Sequence, residues 1–253
     1  ISLNPLLDGR QQPEGLRRTW SGKSLELSWL PPLIPVLVVS LVATAILSLQ
    51  QSALPLDLVR GGLERPGLSE SHSSALIALQ LTLLVLLQWP VGRWLSERSV
   101  AFGLSLSLIA FALGSALIGL SALSPTGTGL VMTALLPMAF AQAAFLPTAT
   151  QAVVVETPEE HRGLAMALFS QCFAMSAVVA PVIGGRLLDQ QGHGLVLWTL
   201  MACVCLAGIP MIRQLKQHPQ LSDQGRSNNL SMLKQGVQAV SCSSAEPSRP
   251  NNR

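Results

Sequence analysis

The stretch Ser99–Val155 reads SVAFGLSLSLIAFALGSALIGLSALSPTGTGLVMTALLPMAFAQAAFLPTATQAVVV and contains no Lys, Arg, Asp or Glu. A helix needs about 20 predominantly apolar residues to cross a bilayer, so this stretch predicts two crossings. The segment Ser124–Gly129 is rich in Ser, Pro, Thr and Gly and predicts the turn between them. Because only helices or closed barrels satisfy their backbone groups in lipid, and these runs are too long for barrel strands, the stretch predicts a pair of membrane helices.

The whole chain has the composition of a membrane protein. Hydrophobic residues make up 49% and charged residues 11% of its 253 residues, and the mean hydropathy is +0.46. A soluble domain carries about 25% charged residues. The sequence therefore predicts an all-α polytopic membrane bundle of about six transmembrane helices. The predicted spans are Leu30–Pro55, Ser73–Leu95, Val100–Leu123, Gly127–Val155, Gly163–Leu188 and His193–Ile212.

The basic residues predict the orientation of these spans. With the amino terminus inside, only Arg60, Arg65 and Arg186 of the 16 Lys and Arg residues fall outside. This distribution agrees with the positive-inside rule, although the two chain ends supply most of the excess. We expect both termini to be cytoplasmic and the membrane to be the plasma (inner) membrane.

The two ends of the chain flank the predicted bundle of residues 30–213. Residues 1–29 are polar, begin with Ile1 and lack the features of a signal peptide, so we expect a cytoplasmic loop inside a longer protein, of which this chain is a fragment. Residues 214–253 are rich in Ser, Gln, Asn and Pro, which predicts a disordered cytoplasmic tail.

Uncharged polar residues inside the spans are the candidate substrate-binding groups. They are Ser40, Thr44, Ser48 and Gln51, which form one stripe on the first span, with Gln80, Gln142 and Gln171 on the second, fourth and fifth spans. Polar residues in membrane helices generally face the bundle interior or a watery cavity. The alternative is that they only join neighbouring helices.

Two loop segments predict a conformational gate on the cytoplasmic side. One contains Gly92, Arg93, Glu97 and Arg98, where a carboxylate lies between arginines beside a helix end. The other contains Arg162 and Gly163 at the start of the fifth span. The candidate hinges are the helix-interrupting residues Pro137, Pro147, Pro181, Gly184 and Gly185. For the last three we expect a break near the outer end of the fifth span.

These segments carry a resemblance to a known family. Residues 158–165 and 180–188 resemble the pattern around the tenth and eleventh helices of the major facilitator superfamily. Gly92, Glu97 and Arg98 resemble its loop signature between the eighth and ninth helices, although Glu97 replaces the usual Asp and lies one residue further from Gly92. The fold would then be the carboxy-terminal half of a twelve-helix transporter. The amino-terminal half is the alternative, but it typically carries an Arg in its fourth helix, and Gly127–Val155 has none.

The resemblance implies a secondary transporter that moves a small solute by alternating access, with lipid and an amino-terminal half as partners. If Glu97 packs as in the family, it latches the outward-open state against the start of the fifth span. No ionisable residue lies mid-span, so we expect ion coupling in the missing half or none at all.

Other functions have less support in the sequence. No catalytic motif, metal ligand cluster or cofactor signature is found, which argues against an intramembrane enzyme. The basic residues do not gather on one face, so no nucleic-acid partner is expected. A half-size subunit or scaffold that pairs with a second copy remains an alternative.

Overall fold

The computed structural model describes residues 29–215, with side chains described through residue 212. The predictions for the amino-terminal loop, apart from Trp29, and for most of the carboxy-terminal tail lie outside the described residues. The six helices are α1 (Leu30–Arg60), α2 (Glu70–Ser96), α3 (Val100–Ser121), α4 (Gly127–Val155), α5 (Arg162–Gln191) and α6 (Leu195–Leu215). We call the end where α1 begins the near end, and the end where α1 finishes the far end.

The predicted fold class is confirmed. All six helices are long and apolar enough to cross a membrane, and residues 29–215 contain no strand. A single 3-10 turn, Glu159–His161, precedes α5.

The predicted helix ends were wrong in two places. Helix α1 was expected to stop at Pro55 but continues to Arg60. Helix α5 was expected to break near Pro181 but continues unbroken through Gly184 and Gly185 to Gln191. A proline removes one hydrogen bond from a helix, and packing against neighbouring helices can outweigh that loss in a membrane protein.

The helices divide into a packed centre and two exposed flanks. Helix α3 packs on α4 and α6, α1 packs on α5, and α2 packs on α4. About 56% of the apolar window of α3 and of α4 is buried, against 17% for α2 and 22% for α5. Phe111 and Phe145 meet edge to face at the centre, with their ring centroids 6.5 Å apart. Helices α2 and α5 therefore present most of their apolar surface outward.

Small residues allow α1 and α5 to approach closely. A Cβ at Gly184 would lie 2.5 Å from Leu49 Cδ2, so a larger residue at this crossing requires the Leu49 side chain to move. Two turns away, the hydroxyls of Thr44 and Ser176 are 2.8 Å apart and joined by a hydrogen bond. This contact agrees with the small-residue packing that holds membrane helices together.

A buried ion pair holds the far end. Arg65, in the loop after α1, lies 3.2 Å from Asp57, and the two side chains are 0% and 1% exposed. The Asp57 carboxylate also accepts hydrogen bonds from the backbone of Gly194 (2.8 Å) and from Trp198 Nε1 (3.3 Å). Arg65 donates in addition to Ser121 Oγ. One cluster thus joins the far ends of α1, α3 and α6.

We predict that Asp57→Asn lowers the free energy of unfolding by about 3–5 kcal/mol, because Arg65 is left buried and unpaired. The matched control is Asp189→Asn, because Asp189 is 65% exposed in its ion pair with Arg60 and should cost at most about 1 kcal/mol. Denaturation of the purified protein in detergent measures both. Equal losses for the two variants would contradict the importance of the buried pair.

Adjacent glycines test the α1–α5 crossing. Gly184→Val should destabilise the bundle by about 1–3 kcal/mol, because the new side chain collides with Leu49. Gly185→Val is the control, because a Cβ at Gly185 meets no atom within 4 Å. Thermal unfolding followed by circular dichroism compares the two, and a Gly184→Val protein as stable as the control would refute the close crossing.

Candidate functional site

Three glutamines from three helices meet inside the bundle. Gln50 of α1 accepts hydrogen bonds at Oε1 from Gln80 of α2, at 3.5 Å, and from Gln142 of α4. The Nε2 of Gln50 donates to Met138 Sδ at 2.7 Å. The three side chains are 4%, 5% and 7% exposed, so the cluster lies almost wholly inside protein.

One hydrogen-bond acceptor of the glutamine cluster has no partner among the described residues. Gln80 Oε1 is buried and has no hydrogen-bond partner within the described residues. Turning the Gln80 amide over would bring two carbonyl oxygens, those of Gln80 and Gln50, together, so the network itself favours this orientation. A buried amide group left unsatisfied costs about 1–3 kcal/mol, and such a group is often found where a ligand or water is held.

A cavity of about 590 Å³ lies between α2 and α4 on the near side of the glutamines. Its lining residues are Gln88, Gly92, Leu146, Pro147, Thr150, Gln151 and Val154. Gln88 follows Gln80 by eight residues on α2, which places the cluster roughly 12 Å further towards the far end than Gln88 at 1.5 Å per residue. The cluster lies outside the lining of the cavity.

The structure separates the predicted substrate-binding residues. Gln80 and Gln142 meet in the cluster, whereas Gln51 and Gln171 are exposed and Ser48 is half-buried. Ser40 and Thr44 are buried, and Thr44 bonds to α5, which is the alternative role that the sequence left open.

Sequence reasoning missed Gln50, the residue at the centre of the cluster. The prediction followed the stripe of serine and threonine residues on α1 and therefore selected Gln51. Adjacent side chains of an α-helix point about 100° apart around the helix axis, so Gln51 points away from the cluster that holds Gln50. The sequence held no signal that separates the two glutamines, because Gln50 follows the apolar Ile46 by four residues and Gln51 follows the apolar Leu47 by four.

The predicted gate residues lie at the near end. The guanidinium of Arg93 stands 5.9 Å from the Trp89 ring and that of Arg98 stands 5.7 Å from the Trp94 ring. Arg162 pairs with Glu159 at 3.3 Å. Glu97 ends α2 and is exposed, and no ion pair joins it to α5 among the described residues. The latch therefore stays a prediction.

Two gate glycines and several hinge residues border open space. An added Cβ at Gly92, Gly163 or Gly185 would meet no atom within 4 Å. Pro147 is exposed and lines the cavity, whereas Pro137 and Pro181 are half-buried within continuous helices. Gly184, by contrast, packs tightly against α1. The hinge role of these residues stays a prediction.

The family is decided by a match over most of the chain. The family model described as Major Facilitator Superfamily matches residues 36–241. The chain belongs to the major facilitator superfamily. It is therefore an integral membrane protein of a transporter family.

Solved superfamily structures share the fold. A point mutant of the peptide transporter POT in complex with alafosfalin matches with a TM-score of 0.58 at 15% identity, over 85% of this chain and 46% of that chain. A second structure of the POT mutant, in complex with sulfate, matches with a TM-score of 0.58 at 14% identity, over 82% and 44%. The chain thus spans less than half the length of these transporters. No curated protein matches it by sequence.

No group of three or more His, Cys, Asp or Glu side chains that could hold a metal ion occurs in residues 29–212. The polar chemistry described inside the bundle consists mainly of amides and hydroxyls, with Asp57 and Arg65 as the buried charged pair.

Neighbouring glutamines test the cluster. Gln50→Leu should destabilise the bundle by about 1 kcal/mol or more, because the amide groups of Gln80 and Gln142 lose their shared acceptor. Gln51→Leu should change stability by less than about 0.5 kcal/mol, because Gln51 is exposed. Chemical denaturation in detergent compares them. A larger loss for Gln51→Leu would contradict the arrangement.

Proposed function

We propose that the chain is the carboxy-terminal six-helix half of a secondary transporter that moves a small solute by alternating access. The observation that carries this proposal is the buried cluster of Gln50, Gln80 and Gln142, which joins three helices inside the bundle. Buried amides with a free acceptor are expensive unless a ligand or water uses them. A polar site deep in a membrane bundle is where such transporters hold their substrate.

The exposed flanks support a second bundle. Val85, Leu86 and Trp89 of α2 are 69%, 65% and 74% exposed, and Val178 of α5 is 69% exposed. A second six-helix bundle would cover surface of this kind on both helices and close the cavity on its open side. The overlap of this chain with less than half of each POT chain agrees with that arrangement.

The glutamine cluster favours a substrate that donates hydrogen bonds and carries no strong negative charge. Its free group is the Gln80 oxygen, and the polar residues of the cavity are the uncharged Gln88, Thr150 and Gln151. A carboxylate or phosphate would find no cation there to balance it, which is unfavourable in a low-dielectric site. The POT structures share the fold at too low an identity to carry their substrate over.

The positions of the buried charged residues support ion coupling at a site outside this bundle, or transport without ion coupling. Asp57 and Arg65 are the buried ionisable pair of the described chain, and each neutralises the other at the far end. The described hydrogen bonds of this pair go to Gly194, Trp198 and Ser121 rather than to the glutamines. In this proposal Glu97 acts as the latch at the near end, and α4 and α5 bend at their proline and glycine positions as the halves rock.

A homodimer of half-size subunits is the second candidate. The same exposed faces of α2 and α5 would fit a second copy, and the rocking mechanism would be similar. The molecular mass of the native protein in its own membrane distinguishes one twelve-helix chain from two six-helix chains.

The test is uptake by the complete native protein in proteoliposomes, with a panel of labelled sugars, amino acids, short peptides, organic cations and organic anions. Gln142→Leu should lower uptake of the transported solute by about tenfold or more, since a buried hydrogen bond of the cluster is lost. Met132→Leu is the control, because it changes an exposed apolar residue on the same helix.

Size-exclusion chromatography confirms that both variants are folded. Uptake by Gln142→Leu equal to that of the control would contradict the site. A native protein that holds only one six-helix bundle would contradict alternating access between two halves.

A further inference from the structure

An apolar groove runs along the outside of the bundle between α5 and α6. It encloses about 270 Å³, and α1 forms its floor. Val179 and Ile183 form one wall, Leu197 and Met201 form the other, and Leu49 lies at the base. Ser176 is the polar residue of the lining, and its hydroxyl is already bonded to Thr44. The groove therefore suits a hydrocarbon occupant.

The far end beside this groove carries three arginines, Arg60, Arg65 and Arg186. Arg65 is neutralised by Asp57, and Arg60 pairs with Asp189 at 2.7 Å. Arg186 is exposed and takes part in no ion pair within the described residues. It is the basic side chain at this end that no carboxylate of the described chain neutralises.

Arg186 lies directly above the groove wall. It follows Ile183 by three residues and Val179 by seven, and residues at these spacings share one face of a helix. The long side chain of an arginine near a helix end reaches towards the membrane interface while its stem stays on apolar surface. The groove thus extends along one face of α5 from the hydrocarbon region of the membrane towards the unpaired guanidinium of Arg186.

We propose that this groove binds an anionic phospholipid. One acyl chain lies between α5 and α6, and the phosphate accepts paired hydrogen bonds from the Arg186 guanidinium, whose planar fork matches phosphate geometry. The neighbouring Arg60–Asp189 pair has no net charge, so the surplus at the headgroup position is the single positive charge of Arg186.

The chemistry of the groove favours a phospholipid over a helix from another bundle. Its walls and floor are aliphatic, and the face of α5 that forms one wall leads to the unpaired Arg186, so the acyl chain and the phosphate of one lipid match both features. Only the placement of the protein in a membrane is needed here, so the proposal does not depend on the transported solute or on the nature of the second bundle.

The experiment titrates phosphatidylglycerol and, separately, phosphatidylcholine into the complete native protein in detergent, with bound lipid counted by native mass spectrometry. Val179→Trp fills the groove, and Val155→Trp is its control because Val155 of α4 is 51% exposed and lies outside the lining. Arg186→Gln removes the positive charge of the headgroup contact, and Arg186→Lys, which keeps that charge, is its control.

The native protein should bind phosphatidylglycerol about fivefold more tightly than phosphatidylcholine, as expected for one arginine near an anionic headgroup. Arg186→Gln should abolish that preference, and Val179→Trp should weaken both lipids, while the two controls match the native protein. Unchanged binding by Val179→Trp would overturn the groove as the site. A preference that persists in Arg186→Gln would overturn the headgroup contact, and equal binding of the two lipids by the native protein would overturn the anionic selectivity.

Discussion

Hydrocarbon cannot hydrogen-bond to a peptide group, and this constraint shapes the rest of the molecule. It makes six long helices the stable arrangement, since each one satisfies its own backbone. It also means that burial of apolar side chains gives little driving force between helices, because lipid is as apolar as leucine. Close packing at Gly184 and hydrogen bonds such as Thr44–Ser176 therefore contribute a larger share of the contact energy than they would in a soluble core.

Helix α1 shows two uses of polar residues in that setting. Towards α5, the Thr44 hydroxyl makes hydrogen bonds to the Ser40 carbonyl of its own helix and to the Ser176 hydroxyl, so its hydrogen-bonding capacity is satisfied within the protein. Towards α2 and α4, Gln50 gathers two other amides but leaves an oxygen of Gln80 unsatisfied. The first arrangement holds helices together. The second keeps a hydrogen-bonding group available, which is why we place the substrate there.

The sequence was enough to predict the helix number and the fold class, because runs of apolar residues and charge-free stretches depend on local composition alone. It was enough to predict the family because residues 158–165 and 180–188 resemble the pattern of that family. It also selected Gln80 and Gln142. It failed where tertiary contacts decide: α1 continues past Pro55 to a last turn whose Asp57 is bound by Arg65 and α6, and Gln50 belongs to the cluster instead of Gln51. Neither the partner of Asp57 nor the rotational phase of two adjacent glutamines can be read from one helix.

The ion cluster also makes the two ends of the bundle differ in stiffness. Asp57, Arg65, Ser121 and Gly194 join three helix ends at one side, whereas the described ion pair within the near-end turn, Arg162–Glu159, is exposed and local. The helices that meet in the ion cluster are therefore held more rigidly at the far end than at the near end. Thermal fluctuations of α1, α3 and α6 should accordingly grow from the ion cluster towards the near end of the bundle.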